Sequence, residues 1–374
     1  MKHLFDIPES FCYLNCAYMS PLLKSVATAG HAGVSRKSRP WELSASDFFT
    51  ESEQARSLFA QLVNSSADNV ALIPAASYGI STACQALPLK ADSQIVVLDE
   101  QFPSNVYPWM NIAEQRGISL RTVKRQVGQS WTEAVLQALQ QFGGGVVALP
   151  QCHWTDGAML DLKAIGDETR NRNGYLVLDT TQSLGAMPLD VEHLKPDFLV
   201  SAAYKWLLGP YSTGFMYVDP SHHGALPLEH NWIDRRNSED FARLVDYQTE
   251  YQPGARRFDV GERANFALMP MVIAALQQIL AWKVGTIQEK LAQYTSDIEQ
   301  LCLEMGLSCD TIPDRAGHFL GIRFPDGLPP GILDQLARQN IFVSVRGDSM
   351  RVTPHLYNDE SDYQQFTNAL KQLL

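Results

Sequence analysis

The stretch FLVSAAYKWLLGPYSTGFMYV, residues 198–218, contains two short apolar runs, 198–200 and 215–218, that are typical of buried strands. Lys205 carries its only charged side chain, and the residues beside that lysine are aromatic or leucine. A lysine can extend its ammonium to the surface, and that alternative stays open. A partly desolvated lysine instead has a lowered pKa and becomes a nucleophilic amine, which is what Schiff-base chemistry requires.

Similar apolar runs lie upstream, and they predict strands of a largely parallel sheet at 95–98, 146–149 and 176–178, with a helix at 131–142. The pattern changes near residue 265, where a long helical stretch (266–305), two strand regions (318–324 and 341–345) and a final helix (361–374) follow. We therefore predict an α/β protein with a large domain (21–260), a smaller C-terminal α+β domain (261–374) and an N-terminal segment (1–20) that packs across one of them.

Composition limits the function classes. The chain has 374 residues, of which 45% are hydrophobic and 19% charged, so we expect a folded core rather than disorder. A net charge of -11 repels phosphate backbones and argues against a nucleic-acid partner, although a local basic pocket for a small anion is allowed. The apolar segment 267–282 is short and contains Pro270, which predicts a core helix rather than a membrane span.

Asp6 and Glu9 stand where a secretory signal would carry an apolar run, and the six cysteines form no CxxC pair. We therefore predict a cytoplasmic protein with reduced thiols and no metal site. No GxSxG or GxGxxG motif points to a hydrolase or a nicotinamide-dependent enzyme.

Asp179 ends the apolar run YLVLD, and in a parallel sheet ligands bind at the carboxyl ends of strands. Such a carboxylate can cap a helix or pair with an arginine. It can also hold a cationic ring nitrogen, as pyridoxal phosphate (PLP) requires. The spacing between Asp179 and Lys205 suits one helical crossover, so we expect both at the same edge of the sheet.

The segment IPAASYGIST, residues 73–82, precedes a helical pattern with Ser77 as the predicted N-cap. We expect free backbone N–H groups at Tyr78 and Gly79 to face an anion such as a phosphate. Any capped helix has this appearance, so the motif gains meaning only together with the lysine and the aspartate.

Three segments, LVLDTTQSLGAMPLD (176–190), VSAAYKWLLGPYSTGFMYV (200–218) and SMRVTPHLYND (349–359), together resemble the class V aminotransferase family of fold-type I PLP-dependent enzymes. That family includes cysteine desulfurases, kynureninases and isopenicillin N epimerase-like proteins. The resemblance covers most of the chain. It implies the fold of a fold-type I PLP-dependent transferase, pyridoxal 5'-phosphate as cofactor, and a homodimer with shared active sites.

The resemblance also implies roles for individual residues. Lys205 would hold the cofactor as an aldimine and move the proton at the substrate α-carbon, Asp179 would hold the pyridinium nitrogen, and Gln182 would bond the 3-oxygen of the ring. Phe102 would stack on the ring, unless it is a core phenylalanine. The phosphate would be held by Ser77, Tyr78, Ser201 and Tyr204.

Two further positions carry the resemblance. Arg351 matches the arginine that binds the substrate α-carboxylate, with a surface arginine as the alternative. In QPGARRFDVGERANFALMP (252–270), either Arg263 or Asn265 would reach the partner subunit's phosphate.

The stretch IFVSVRGDSM (341–350) lacks the nucleophilic cysteine of a desulfurase, which argues against that reaction. Its Arg346 would meet a second carboxylate or another anionic group of the substrate, or is a solvated loop charge. In CHWTDG (152–157), we expect His153, Trp154, Thr155 and Asp156 beside the cofactor. His153 is a candidate second acid or base or a structural histidine.

We predict an aminotransferase acting on an amino acid. The alternatives are a PLP-dependent β-lyase of the kynureninase or C–S lyase type, an epimerase like isopenicillin N epimerase, and a catalytically silent PLP-fold binding protein. These reactions differ by small displacements of acid groups, which a sequence does not display.

Overall fold

The computed structural model describes residues 1–311 and 313–373. Its strands are β1 (Cys12–Tyr13), β2 (Val70–Ile73), β3 (Gln94–Leu98), β4 (Ser119–Val123), β5 (Gly145–Pro150), β6 (Gly174–Asp179), β7 (Phe198–Ala202), β8 (Gly214–Val218), β9 (Ser308–Cys309), β10 (Leu320–Arg323), β11 (Ile341–Phe342), β12 (Ser344–Arg346) and β13 (Ser349–Val352). Its α-helices are α1 (Lys24–Lys37), α2 (Thr50–Leu62), α3 (Ala76–Ala86), α4 (Tyr107–Arg116), α5 (Trp131–Leu139), α6 (Leu162–Asn171), α7 (Val191–Leu194), α8 (Leu268–Trp282), α9 (Val284–Glu304), α10 (Ile332–Ala337) and α11 (Glu360–Leu373).

A seven-stranded sheet forms the centre, with the strand order β2-β8-β7-β6-β5-β3-β4. Strands β3 to β7 run parallel to one another, whereas β8 is antiparallel to both β2 and β7. The five predicted strands of this sheet are confirmed, and so is its mostly parallel character. The sequence reading missed β4, because this edge strand is partly exposed and carries Arg121, and also the four-residue β2.

Residues of β5 are buried on both faces of the sheet, because helices cover each face. Its first residue, Gly145, has a φ of +132°, and a Cβ there would lie 2.1 Å from the carbonyl oxygen of Gln94. Only glycine permits this approach, so the glycine run after α5 sets where β5 joins β3.

The C-terminal part builds a four-stranded antiparallel sheet in the order β12-β13-β10-β9. The N-terminal segment contacts both parts of the molecule: β1 pairs with β11, and the Ser20 amide donates to the carbonyl oxygen of Tyr204 at 3.1 Å. The domain boundaries at residues 20 and 260 stay a proposal.

The helical stretch predicted over 266–305 is two helices rather than one. Helices α8 and α9 meet at Lys283, whose φ is +64°, and their axes differ by 75°. No single helix among residues 1–311 and 313–373 is long and apolar enough to cross a membrane, although this bent pair passes by length and composition. The final helix is confirmed as α11, and the predicted last residue, Leu374, lies outside the described residues.

Candidate active site

A cavity of about 270 Å³ lies at the carboxyl edge of the central sheet, beside the ends of β6 and β7. A narrow cleft that contains Asp179 adjoins it. The two share Phe102, Trp154, Gln182 and Lys205. The strand register explains the assembly, because Asp179 pairs with Pro150 on one side and with Val200 on the other.

Lys205 is only 4% exposed. Among the described residues, its ammonium has no hydrogen bond and no ion pair, and its Nζ lies 5.2 Å from the ring centroid of Phe102 and 5.5 Å from that of Tyr204. Burial lowers the pKa of Lys205 to about 8, with Arg351 acting in the same direction and Asp179 opposing it. At pH 8 about half of this amine is therefore neutral and nucleophilic, far more than for an exposed lysine.

Asp179 is buried at the end of β6, and its Oδ1 accepts a hydrogen bond from the Thr181 amide at 3.0 Å. Burial raises its pKa, and the hydrogen bonds from Thr181 oppose that rise. In the described part of the chain it neither caps a helix nor pairs with an arginine. Its carboxylate is therefore available to a cationic group in the cleft.

Arg351, on β13, is 1% exposed, which excludes the alternative of a surface arginine. Its Nε and Nη2 donate to the Ser344 hydroxyl at 3.0 and 2.9 Å, and its Nη1 donates to the carbonyl oxygen of Trp154 at 2.9 Å. No carboxylate of the described residues lies within 4.0 Å of it. Burial and then the charge of Arg346 lower its pKa to about 9, so the site favours an anion.

The Gln182 amide joins the central sheet to the N-terminal segment. Its Nε2 donates to the carbonyl oxygen of Ala17 and its Oε1 accepts from the Trp206 indole, both at 3.1 Å. One Nε2 hydrogen remains for a ligand. Sequence reasoning missed the wall that Ala17, Tyr18 and Met19 contribute to the cavity, since nothing in their local pattern distinguishes them.

The start of α3 differs from the prediction. The N-cap is Ala75 rather than Ser77, and the amides of Tyr78 and Gly79 donate to the carbonyl oxygen of Ala75. Because Ala75 is extended, the helix begins at Ala76, one residue before the predicted cap. Within the described residues, the amides of Ala76 and Ser77 have no acceptor, so the free N–H groups lie two residues earlier than predicted.

Ser201 faces away from helix α3. A Cβ on Gly79 would be 2.6 Å from Val200 Cγ1, so Val200 faces α3. Successive strand residues face opposite sides of a sheet, which directs Ser201 away from α3. Its buried hydroxyl has no hydrogen-bond partner in the described structure. Ser201 is therefore on the face of the sheet opposite to α3, and its grouping with Ser77 stays a prediction, whereas Tyr204 does line the cavity.

His153 is buried outside the residues that line the cavity. Its Nε2 bonds the carbonyl oxygen of Asp99 at 3.1 Å, which requires the proton on Nε2, and its Nδ1 then accepts from the Thr155 hydroxyl at 2.7 Å. Burial lowers its pKa. Both ring nitrogens are occupied, so the geometry favours the structural alternative. Of the four residues expected beside the cofactor, Trp154 lines the cavity, whereas His153, Thr155 and Asp156 are not among the lining residues.

The two candidates for a contact with a partner subunit differ in access. Arg263 is buried and forms ion pairs with Asp234 and Asp259. Asn265 is exposed, and its Oδ1 accepts hydrogen bonds from the amides of Ala267 and Leu268 at the start of α8. The side-chain amide nitrogen of Asn265 is thus accessible from outside the chain, and the guanidinium of Arg263 is not.

The aminotransferase class-V family matches this chain over residues 26–356. An uncharacterized aminotransferase of Bacillus subtilis, YcbU, is 25% identical over 83% of this chain and 81% of that protein. A probable cysteine desulfurase of Methanothermobacter thermautotrophicus is 27% identical over 86% of this chain and 83% of its own length. Proteins named isopenicillin N epimerase and kynureninase also match.

A solved structure of a C-DES variant, with glycine covalently linked to its PLP cofactor, superposes with a TM-score of 0.89. It is 18% identical and covers 100% of both chains, so the likeness concerns the fold. The predicted fold-type I fold is confirmed. Because the family match extends over most of the sequence, this chain belongs to the class-V aminotransferase family.

Proposed function

We propose that this protein binds pyridoxal 5'-phosphate on Lys205 and transfers the amino group of an amino acid. The observation that carries the proposal is one cavity system that holds a buried amine, a buried carboxylate and a buried arginine without an acidic partner, namely Lys205, Asp179 and Arg351. Bound PLP supplies an electron sink for the bond that breaks at the substrate α-carbon.

The residues present fit this group. The Asp179 carboxylate suits a protonated ring nitrogen, the remaining Nε2 hydrogen of Gln182 suits a ring oxygen, and the aromatic ring of Phe102 suits a stacking contact. The unpaired amides of Ala76 and Ser77 at the start of α3 suit a phosphate. We propose Tyr78 and Tyr204 as further contacts, since both are half-buried near these groups.

Toward the substrate, Arg351 binds the α-carboxylate, because the Ser344 and Trp154 contacts fix the orientation of its guanidinium. The neutral Lys205 amine then accepts the proton of the α-carbon and returns it. The side chains of Phe102, Trp154 and Tyr204 exclude water from one side of this reaction.

A persulfide reaction is not supported by the cysteines. None of the six is among the residues that line the cavity. Cys16 and Cys152 are influenced by the charge of Lys205, but both are buried, and burial raises the pKa of each, that of Cys152 to about 12. A thiol in this state is a poor nucleophile.

The test has two steps. The visible absorption spectrum of the purified protein is recorded with PLP, and the protein is then incubated with L- and D-amino acids and a 2-oxo acid. We expect a band that Lys205→Ala lacks, and transfer of the amino group to the 2-oxo acid. Release of alanine or pyruvate would identify a β-lyase, and interconversion of the L and D forms would identify an epimerase. An absorption band without any turnover would identify a silent binding protein. No band would overturn the proposal.

We also propose a homodimer in which Asn265 of one subunit reaches the phosphate of the other. Large apolar side chains are exposed in the segment that precedes it, including Val245 at 76% and Tyr247 at 94%, and a second copy of this chain would cover them. The mass in solution tests this. A cytoplasmic location stays a proposal, supported by six free cysteines.

A further inference from the structure

Two arginines share one face of the hairpin that β12 and β13 form. Arg351 pairs with Ser344 and Arg346 pairs with Ser349 in the antiparallel register. Directly paired residues lie on the same face of a sheet, and so do residues two positions apart on one strand. Both guanidinium groups therefore extend from this face, and both residues line the cavity of about 270 Å³.

The Trp154 indole lies close to both cations. Its ring centroid is 5.5 Å from the guanidinium carbon of Arg346 and 5.7 Å from that of Arg351. A ligand that contacts this indole is therefore within reach of both positive charges.

Arg346 has no acidic partner among the described residues. Its Nη1 donates to the carbonyl oxygen of Val345 at 2.7 Å, and no carboxylate lies within 4.0 Å of the guanidinium. Glu100 lies near the hairpin turn, with its Oε2 3.9 Å from where a Cβ on Gly347 would be, but it forms no ion pair with Arg346. The remaining N–H groups of Arg346 are available to a ligand.

The charges in the cavity do not balance. Lys205, Arg346 and Arg351 contribute positive charge, and Asp179 in the adjoining cleft is the acidic residue among the lining side chains. A substrate with a single carboxylate would neutralise only the charge of Arg351. The charge of Arg346, which is half-buried, would remain without a partner, and a partly desolvated cation is more favourable with an anionic partner than without one.

We propose that Arg346 binds a second carboxylate, on the side chain of the substrate, so that the substrates are amino dicarboxylic acids such as aspartate or glutamate. This inference rests on the proposed function, in which Arg351 takes the α-carboxylate. Bidentate pairing of a guanidinium with a carboxylate supplies the specificity against the uncharged amides.

Binding of unreactive acids to the PLP-loaded protein, measured by calorimetry, tests the second carboxylate without turnover. Glutarate and valerate have the same chain length and differ by one carboxylate. We expect glutarate to bind at least about tenfold more tightly than valerate. Arg346→Gln should remove that difference and leave valerate binding unchanged, whereas Arg346→Lys should retain part of it.

Arg338→Gln is the matched control, because Arg338 is an exposed arginine that does not line the cavity and should leave the preference unchanged. Equal binding of the two acids, or a preference that survives Arg346→Gln in a folded protein, would overturn the inference.

Turnover separates this inference from the proposed function. We expect a lower KM for L-glutamate or L-aspartate than for the matching amide, and a loss of that difference in Arg346→Gln. Glutarate binding through Arg346 without any amino transfer would contradict the proposed function and leave the inference about Arg346 intact. Amino transfer from neutral amino acids, with no preference for dicarboxylic ones, would contradict the inference about Arg346 and leave the proposed function intact.

Discussion

Arg351 is held across the hairpin by Ser344, whose hydroxyl oxygen accepts from both Nε and Nη2 at 3.0 and 2.9 Å. The partner is neutral, so the hydroxyl orients the guanidinium without cancelling its charge. An arginine bound in this way is prepared for an anion from outside the chain, whereas an arginine paired with a carboxylate would not be.

Ser344→Ala should therefore weaken substrate binding more than it changes turnover. Hydrogen bonds to charged groups contribute about 1.5–3 kcal/mol, so we expect KM for the amino acid to rise roughly tenfold to a hundredfold. Ser349→Ala is the matched control, because Ser349 lies on the same face and its buried hydroxyl has no hydrogen-bond partner in the described structure. Equal effects of the two substitutions on KM would contradict this role of Ser344.

The reaction of Lys205 with PLP should depend on pH in a way that reflects its lowered pKa. Only the neutral amine attacks an aldehyde, and its fraction rises as pH passes through the pKa of about 8. The rate at which the cofactor-free protein takes up PLP, followed by absorbance, should therefore increase with a midpoint near pH 8 rather than near 10.5.

Two variants check the direction of this effect. Asp179→Asn removes a charge that raises the pKa of Lys205, so the midpoint should fall. Arg351→Gln removes a charge that lowers it, so the midpoint should rise. A midpoint that moves with neither variant would argue against these charges as the cause.

His153 should matter for stability and not for the acid–base chemistry. His153→Phe retains the stacking on Trp131, whose ring centroid is 5.0 Å away, and removes the bonds to Asp99 and Thr155. We expect a loss of about 1–3 kcal/mol in the free energy of unfolding. The dependence of kcat on pH should keep its shape. A kcat lowered more than about tenfold in a folded variant would restore His153 as an acid–base candidate.

Asp259 should be important for stability although it lies outside the cavity. Its carboxylate accepts from the Leu72 amide and from Arg56 Nη2, each at 2.6 Å, and it forms an ion pair with Arg263 at 3.0 Å. Asp259→Ala leaves two buried arginines short of a partner, and we expect urea unfolding to report a loss of about 3–5 kcal/mol.

Glu250→Gln is the control for Asp259, because it breaks the exposed ion pair with Arg236. Exposed pairs contribute little, so the urea midpoint should not move. A similar shift for both variants would mean that burial does not set the strength of the Asp259 cluster.

Local sequence determined five of the seven strands of the central sheet and the two site residues that follow strands β6 and β7. A buried parallel strand is a continuous apolar run, and Asp179 and Lys205 interrupt such runs at the sheet edge where ligands bind. Strand β4 was not predicted, because its exposure at the sheet edge removes the continuous apolar run. Ser77 was wrongly predicted as the N-cap, because the actual N-cap, Ala75, has no capping side chain that would mark it in the sequence.

Only the tertiary structure decided the partners of these residues. Gln182 meets Ala17 across 165 positions and Arg351 meets Trp154 across 197, and no local periodicity encodes contacts at such separations. The face that Ser201 adopts and the shared face of Arg346 and Arg351 depend on the pleat and on strand register, and a shift of one residue reverses both. The sequence by itself determined that a lysine and an aspartate lie at one sheet edge. The packing of distant segments decided which arginines, amides and aromatic rings surround them.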